Sequence, residues 1–243
     1  MIFKFVICFI AGIGAGLGTG FAGMSAAAVI SPMLITFLGL PAYEAIGIAL
    51  ASDVLASAVS AYTYGKNKNL DIRNGIVMMA AVLLFTLVGS FSVFMTLLLG
   101  IKFIVKPVMT TKESMAAVNA GKRIAQSIIS GAIVGFICGF VGAGGGMMML
   151  LLLTGVLGYE LKTAVGTSVF IMAFTAFTGA VSHFAIGGMP DIWCLVFCVA
   201  STLLWARIAA KFANKASAAT LNRATGVVLA VLGTAILAVN YLK

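Results

Sequence analysis

Two glycine-rich stretches carry the residues whose type and spacing could bind a ligand. The first runs Gly20-Phe21-Ala22-Gly23-Met24-Ser25, and the second is the run GFVGAGGG at residues 139–146. Each stretch joins two apolar segments, at a point where a helix would have to break. A helix that restarts after a break begins with unpaired N–H groups that carry positive partial charge and can bind an anion. We therefore expect the two helix starts to face each other around a small anion.

The donors predicted for this anion are backbone N–H groups and hydroxyls. No Lys or Arg lies near the middle of an apolar segment, and glycine lets an anion approach the backbone closely. The predicted binding residues are Gly20, Phe21, Gly23, Met24, Ser25, Gly139, Phe140, Gly142, Gly144, Gly145, Gly146, Thr167 and Ser168. The alternative is that both stretches are tight turns that bind nothing.

Two ionisable residues are candidates for coupling to a proton or cation. Asp53 lies deep in an apolar run, where a charge is costly and is usually functional. Its carboxyl group could carry a proton, hold a cation when ionised, or accept a structural hydrogen bond. His183 is the single histidine and lies near the end of another apolar run, where a proton role and a structural role both remain open.

No cluster of residues indicates an enzyme, a metal site or a cofactor. The four cysteines lie inside apolar runs and form no Cys-x-x-Cys pair, which favours buried apolar packing. Residues 18–23 match the dinucleotide pattern G-x-G-x-x-G, but no strand-like segment precedes them. The sequence therefore predicts neither catalytic residues nor cofactors.

The elements that position these residues are membrane helices. Of 243 residues, 62% are hydrophobic and 9% are charged, and the mean hydropathy is +1.18, which excludes an ordinary soluble domain. The apolar runs are long and continuous, unlike barrel strands, and leave room for about eight or nine helices. The net charge of +9 comes from residues between these runs, as in cytoplasmic loops, and does not indicate nucleic-acid binding.

An internal repeat divides the chain into two halves. A shift of 119 lays residues 9–61 on residues 128–180 without a gap, and six of the eight glycines in the first window fall on glycine. Such duplication is typical of transporters. We predict an all-α polytopic bundle of two repeated halves, 1–105 and 124–243, joined by a polar linker, 106–123. The helices are expected to be broken or re-entrant at the glycine stretches.

Spacing and charge predict how the helices pack and orient. Glycines four residues apart, at Gly12 and Gly16 and again at Gly131 and Gly135, indicate close helix packing, and we expect segments one and five to cross each other. If every segment crosses the membrane, eleven basic residues share the side of Lys4 and four lie on the other side. This count predicts a multi-pass protein of the cell membrane with a cytoplasmic N-terminus and linker.

The chain resembles the TauE/SafE family of sulfite exporters and related anion permeases of the toluene-sulfonate uptake type. The match in the second half runs through residues 139–146, 164–168 and 179–183, and is completed by Gly187 and Asp191. The first half is similar to a diverged copy, in which Met24-Ser25-Ala26 replaces the glycine run. The resemblance implies transport of sulfite, thiosulfate, or organosulfonates and related carboxylates.

The residues and the resemblance together predict a secondary carrier for a small, sulfur-containing anion. The expected partners are that anion, a coupled proton or cation, and the lipid bilayer; nucleic acid is not expected, and a homo-oligomer is left open. The alternatives are an anion channel, a carrier for small carboxylates and a subunit of a membrane enzyme.

Overall fold

The computed structural model describes residues 1–85, 120–141 and 145–241, and within these ranges the regular elements are helices. Gly142, Ala143 and Gly144, the bend expected at Gly89-Ser90 and most of the predicted linker lie outside the described residues. The helices are α1 (Ile2–Ala22), α2 (Ala27–Leu38), α3 (Ala42–Lys66), α4 (Ile72–Phe85), α5 (Ala120–Val141), α6 (Gly145–Gly155), α7 (Leu161–Gly187), α8 (Ile192–Lys215) and α9 (Ala218–Tyr241).

Five of the described helices are long and apolar enough to cross a membrane: α1, α3, α7, α8 and α9. Helices α2 and α6 are shorter, with 12 and 11 residues. At 1.5 Å per residue, such helices extend about 16–18 Å, less than the roughly 30 Å of the hydrocarbon core. The prediction of an all-α polytopic membrane protein is confirmed.

The glycine face of α1 packs against α8. A side chain at Gly12 would overlap Ser201, one at Gly16 would overlap the backbone around Ala206, and one at Gly20 would overlap Ala209. Close packing is therefore confirmed, but the expected crossing of segments one and five is wrong for the described residues, because α1 packs on α8 while α5 packs on α4. Glycine spacing identifies a helix face that admits a neighbour but not which neighbour it is.

Helices α3 and α7, which the 119-residue shift pairs, run antiparallel through the centre of the bundle. Gly47 near the start of α3 contacts Phe184 near the end of α7, and Leu50 contacts Gly179. At the other end, Gly166 near the start of α7 lies against the loop after α3, at Asn69.

One end of the bundle, the N-terminal face, is formed by Lys4, Glu44, His183 and Asp191. Lys4 Nζ lies 2.6 Å from Asp191 Oδ2, and the Asp191 N–H donates to Glu44 Oε1 at 2.6 Å. Helix α1 therefore begins at the face where α3 also begins. Since three residues separate the end of α2 from the start of α3, α1 and α2 form a hairpin that enters and leaves at this face.

The opposite end, the basic face, carries Lys66, Arg123, Lys162 and Lys215. Asn69 and Lys162 both bond to Asn214, at 2.7 and 3.1 Å, so the loop after α3, the start of α7 and the end of α8 meet there. The sequence count puts Lys66 among the four basic residues opposite Lys4 and Lys162 among the eleven on its side, and the structure shows that this separation is wrong. The count treated residues 72–105 as one crossing, whereas the chain that leaves the basic face after Lys66 is at that face again at Arg123.

The second hairpin opens on the basic face. The guanidinium carbon of Arg123, in the first turns of α5, lies 5.3 Å from the ring centroid of Tyr159, which follows α6. Helices α5 and α6 therefore enter and leave at the face opposite to that used by α1 and α2.

Candidate functional site

The first glycine stretch ends α1 inside the protein, as the sequence predicts. Gly23 adopts a left-handed conformation (φ 59°, ψ 32°), which favours glycine because it has no Cβ, and α2 begins at Ala27. Thr19, Met24 and Ser25 around the break are buried. The backbone freed at this break is enclosed by protein, as a membrane interior requires.

The last carbonyl groups of α1 are satisfied by protein donors. Two donors come from the turn itself and two from other helices: Met24 N to Gly18 O (3.1 Å), Gly23 N to Thr19 O (3.0 Å), the Tyr64 hydroxyl to Gly20 O (2.8 Å) and the Thr225 hydroxyl to Phe21 O (3.0 Å). Hydrogen bonds from α3 and α9 therefore stabilise the end of α1 at the break.

A buried carboxyl group occupies the start of α2. Asp53 on α3 is 1% exposed, and its Oδ2 accepts a hydrogen bond from Ser25 Oγ at 2.5 Å. Its Oδ1 accepts from Ser57 Oγ at 2.9 Å, and the backbone N–H of Ala26 also donates to the carboxyl group. The partners that the described residues give to Asp53 are two hydroxyls and a backbone N–H, with no Lys or Arg among them.

The Asp53 carboxyl group therefore accepts from the predicted anion donors at the start of α2. Ser25 Oγ donates to Asp53 and accepts from the N–H of Ala27 at 3.3 Å. The hydroxyl of Ser25, one of the predicted anion donors, is thus already hydrogen-bonded within the chain. The donors that the sequence assigns to a bound anion therefore bind the Asp53 carboxyl group of the same chain.

Residues of the two glycine stretches meet in space. A Cβ added to Gly23 would overlap Ser168 Oγ on α7, and one added to Gly146 would overlap the carbonyl oxygen of Gly23 and Met172 Sδ. Gly23, Gly146 and Ser168, three of the predicted residues, are therefore neighbours. Met172 is the residue that the repeat pairs with Asp53, so the second helix start meets a thioether where the first meets a carboxyl group.

Two of the predicted residues lie away from the place where Gly23, Gly146 and Ser168 meet: Thr167 is at the basic face, and Phe21 packs against α8. Thr167 Oγ1 accepts from the backbone N–H of Asp71 at 3.1 Å, at the start of α4. The Phe21 ring packs edge-on against Phe212, with centroids 5.6 Å apart.

The second stretch is described in part. Gly145 begins α6, and Gly139 and Phe140 belong to the last turn of α5, whereas Gly142 and Gly144 lie outside the described residues.

His183 lies at the N-terminal face, apart from Asp53. Its ring stacks at a tilt on Tyr43, with centroids 4.3 Å apart, and its Nδ1 is 3.2 Å from the Tyr43 carbonyl oxygen. Both residues line a cavity of about 170 Å³ together with Glu44. Glu44 and Asp53 are nine residues apart on α3, or about 14 Å along the helix. The two coupling candidates therefore belong to different places in the fold.

Three residues that hydrogen-bond to Asp53 or to the end of α1 were not predicted from the sequence: Ser57, Tyr64 and Thr225. Ser57 could have been found, because it lies four residues from Asp53 on the same helix face. Tyr64 and Thr225 reach α1 from distant segments, and nothing in their local sequence indicates it. A further pair links the halves at the basic face: the Tyr159 hydroxyl donates to Asp71 Oδ2 at 2.6 Å, and burial together with this bond raises the pKa of Tyr159.

Comparisons with known proteins cover nearly the whole chain. The family model described as "Sulfite exporter TauE/SafE" matches residues 8–236. The chain is 24% identical to probable membrane transporter protein YunE of Bacillus subtilis (strain 168), over 95% of this chain and 96% of that relative. It is 22% identical to YdhB of the same organism, also a probable membrane transporter protein, over 91% and 96% of the two chains. It is 26% identical to probable membrane transporter protein MJ0441 of Methanocaldococcus jannaschii, over 73% and 70%. No solved structure matches the chain.

Proposed function

Because the chain belongs to the sulfite exporter TauE/SafE family, we propose that this membrane transporter is a secondary carrier for a small sulfur-containing oxyanion such as sulfite, thiosulfate or an organosulfonate. The observation that carries the proposal is the Asp53 carboxyl group at the start of α2, bound by hydroxyls and a backbone N–H. A sulfite or sulfonate group presents negatively charged oxygens to donors much as a carboxylate does. Donors that accommodate one oxyanion in a buried place have the chemistry needed for another.

The proposed binding site lies where the two glycine stretches meet, beside Gly23, Gly146 and Ser168. The contacts of Gly23 with Ser168 and of Gly146 with Gly23 support this place. So do the two hairpins, which enter from opposite faces, and the antiparallel packing of α3 and α7. These features are those of an inverted repeat, in which the substrate site lies between the halves and is reached from each side in turn.

Asp53 is proposed to couple transport to a proton. An ionised Asp53 accepts from Ser25 and Ala26, whereas a protonated carboxyl group is a weaker acceptor and needs a partner for its own O–H. Protonation therefore releases donors at the start of α2 to an arriving oxyanion, and one proton that enters with a monoanion, such as hydrogen sulfite or a sulfonate, adds no net charge to the low-dielectric site. His183 is the second candidate, as a proton acceptor at the N-terminal face.

The basic face is proposed to be cytoplasmic. The ends of described helices there carry Lys66, Arg123, Lys162 and Lys215, whereas Lys4 lies at the other end, so the positive-inside rule assigns the N-terminus to the outside. This reverses the side expected from the sequence. In intact cells, a membrane-impermeant maleimide should label an exposed cysteine introduced by Met189→Cys at the N-terminal face, and not one introduced by Asn67→Cys at the basic face. The opposite labelling would restore the cytoplasmic N-terminus.

The test of transport uses purified protein in proteoliposomes loaded with unlabelled anion. Uptake of radiolabelled sulfite, thiosulfate, methanesulfonate and acetate is measured from pH 5 to 8 with and without an imposed proton gradient. A carrier gives saturable flux and counterflow, and a sulfur anion should be preferred over acetate. Non-saturable flux without counterflow would indicate a channel, and preference for acetate would indicate a carboxylate carrier.

Asp53→Asn tests the coupling, with Ser57→Ala as the matched control. The amide keeps the shape and cannot ionise, so flux should lose its dependence on pH and on the proton gradient. Ser57→Ala removes one bond to the same carboxyl group, about 1 kcal/mol, and should shift the pH profile without abolishing it. An unchanged profile in Asp53→Asn would remove Asp53 from the mechanism.

Ser25→Ala and Thr167→Ala test which of the two predicted hydroxyl donors lies near the bound anion. Ser25 lies at the start of α2 and contacts Asp53, so its loss should weaken anion binding by about 1 kcal/mol, or about fivefold. Thr167 bonds to Asp71 at the basic face, so its loss should affect binding less, although the sequence places both in the site. Calorimetry with sulfite on the purified variants measures both effects, and a larger loss for Thr167→Ala would place the anion nearer to the basic face.

A further inference from the structure

A groove between α3 and α7 opens beside the basic face. Its volume is about 620 Å³, within the range of about 300–1,000 Å³ that holds small ligands. Its lining is mostly apolar and includes Ala58, Ala61, Tyr62, Lys66, Phe170 and Phe174. The floor of the groove includes the small, buried side chain of Ala61. The walls include the aromatic rings of Tyr62 and Phe174, which are 71% and 46% exposed.

The groove runs along α3 from Lys66 in its last turn to Ala58. Ala58 and Lys66 are eight residues apart on α3, which is about 12 Å along the helix. Both α3 and α7 are long enough to span the membrane, so exposed apolar side chains at this depth contact lipid tails. Among the described residues that line the groove, the charged one is Lys66, in the last turn of α3. The apolar groove therefore has a cation, the Lys66 ammonium group, at the end that lies beside the basic face.

We propose that this groove binds one anionic phospholipid, with an acyl chain between Tyr62 and Phe174 and the headgroup phosphate at Lys66. Basic residues between membrane helices at the cytoplasmic side bind anionic headgroups. Charge complementarity favours this occupant over a second copy of the chain, whose apolar helix face would take the Lys66 ammonium out of water without a partner. The inference does not depend on which anion is carried.

The headgroup is tested on purified protein in detergent with phosphatidylglycerol and phosphatidylcholine of the same chain length. Phosphatidylglycerol should bind more tightly by native mass spectrometry and raise the melting temperature more. Lys66→Gln should weaken phosphatidylglycerol binding about fivefold, the factor set by roughly 1 kcal/mol for one lysine near an anionic lipid. It should weaken phosphatidylcholine binding less, because the choline cation offsets the charge of the same phosphate. Lys211→Gln, an exposed lysine of α8 outside the groove, should change neither. Equal binding of both lipids by the unaltered protein, or equal losses in the two variants, would overturn the proposal.

The acyl-chain slot is tested by filling it. Ala58→Trp adds a large ring at an exposed lining position and should abolish selective phosphatidylglycerol binding, whereas Ile208→Trp at an exposed position of α8 should not. Both positions face outward, so both variants should fold, and size-exclusion chromatography checks this. If Ala58→Trp instead converts a dimer into a monomer and leaves lipid binding intact, the groove is an interface between copies and the lipid proposal is wrong.

Discussion

Replacing Gly23 by alanine should destabilise the protein by about 2–5 kcal/mol. Two costs add in this figure. The left-handed conformation of Gly23 costs a residue with a Cβ about 1–2 kcal/mol. The new methyl group would also overlap the Ser168 hydroxyl of the other half, and forcing an extra methyl into a packed site costs about 1–3 kcal/mol.

The second cost should be recovered by Ser168→Ala. This change removes the overlapping hydroxyl and leaves Ser168 Cβ 3.3 Å from the added methyl, a distance that a small shift can relieve. By itself, Ser168→Ala loses the hydrogen bond to the Val165 carbonyl, about 1 kcal/mol. The double variant should therefore be more stable than the sum of the single effects predicts, with a coupling energy of about 1–3 kcal/mol.

The measurement is a double-mutant cycle of thermal and denaturant unfolding in detergent, with Gly39→Ala as the matched control. Gly39 has the same left-handed backbone (φ 65°), and a Cβ there would meet no atom within 4 Å, so this variant isolates the conformational cost. If Gly23→Ala costs no more than Gly39→Ala, and if Ser168→Ala adds independently, then Gly23 does not pack against Ser168 of α7.

Three further outcomes are expected from other contacts. Gly16→Ala should lower the melting temperature strongly, because its Cβ would lie 2.6 Å from Trp205 Cβ and press on α8 backbone; an unchanged temperature would mean that α1 does not pack there. Tyr64→Phe should cost about 1–3 kcal/mol of unfolding free energy, since a buried carbonyl at the end of α1 loses its donor, and a neutral effect would contradict that bond. The hydrogen bond from Lys4 lowers the pKa of Asp191, so its stabilisation should be present above about pH 4 and be lost as the pH falls through the lowered pKa. Unfolding followed from pH 7 to pH 3 should show this loss in the unaltered protein and not in Asp191→Asn.

Composition and glycine placement were sufficient to predict the class and the first chain break. A chain this apolar can satisfy its backbone in a membrane only by forming helices or a closed barrel, and long continuous runs select helices. Gly23 marks the end of α1 because the turn needs a left-handed residue. The isolation of Asp53 in an apolar run marked it as a residue with a role, since a lone carboxyl group is costly in hydrocarbon, and left a proton, a cation or a structural hydrogen bond as alternatives.

Helix partners and membrane sides were decided by tertiary structure. A small-residue face packs equally well against any helix with a matching surface, so Gly12 and Gly16 identify a close contact and not its partner, α8. Whether Lys66 and Lys162 share one end of the bundle depended on how many times the chain crosses between Lys66 and Arg123, and the length of the apolar run does not fix that number. The hydrogen bonds from Asn69 and Lys162 to Asn214 place that loop with the other basic residues.

The sequence by itself determined that this protein is a helical membrane protein with a break at its first glycine stretch, because these properties depend on local composition and backbone conformation. Only the tertiary structure decided that Ser25 donates to Asp53, and that Gly23 of one stretch meets Gly146 and Ser168 of the other half. Hydrogen bonds and steric contacts act over a few ångströms, whereas these partners are separated by 28 to 145 positions along the chain. Their proximity is a property of how the helices pack, and no local pattern encodes it.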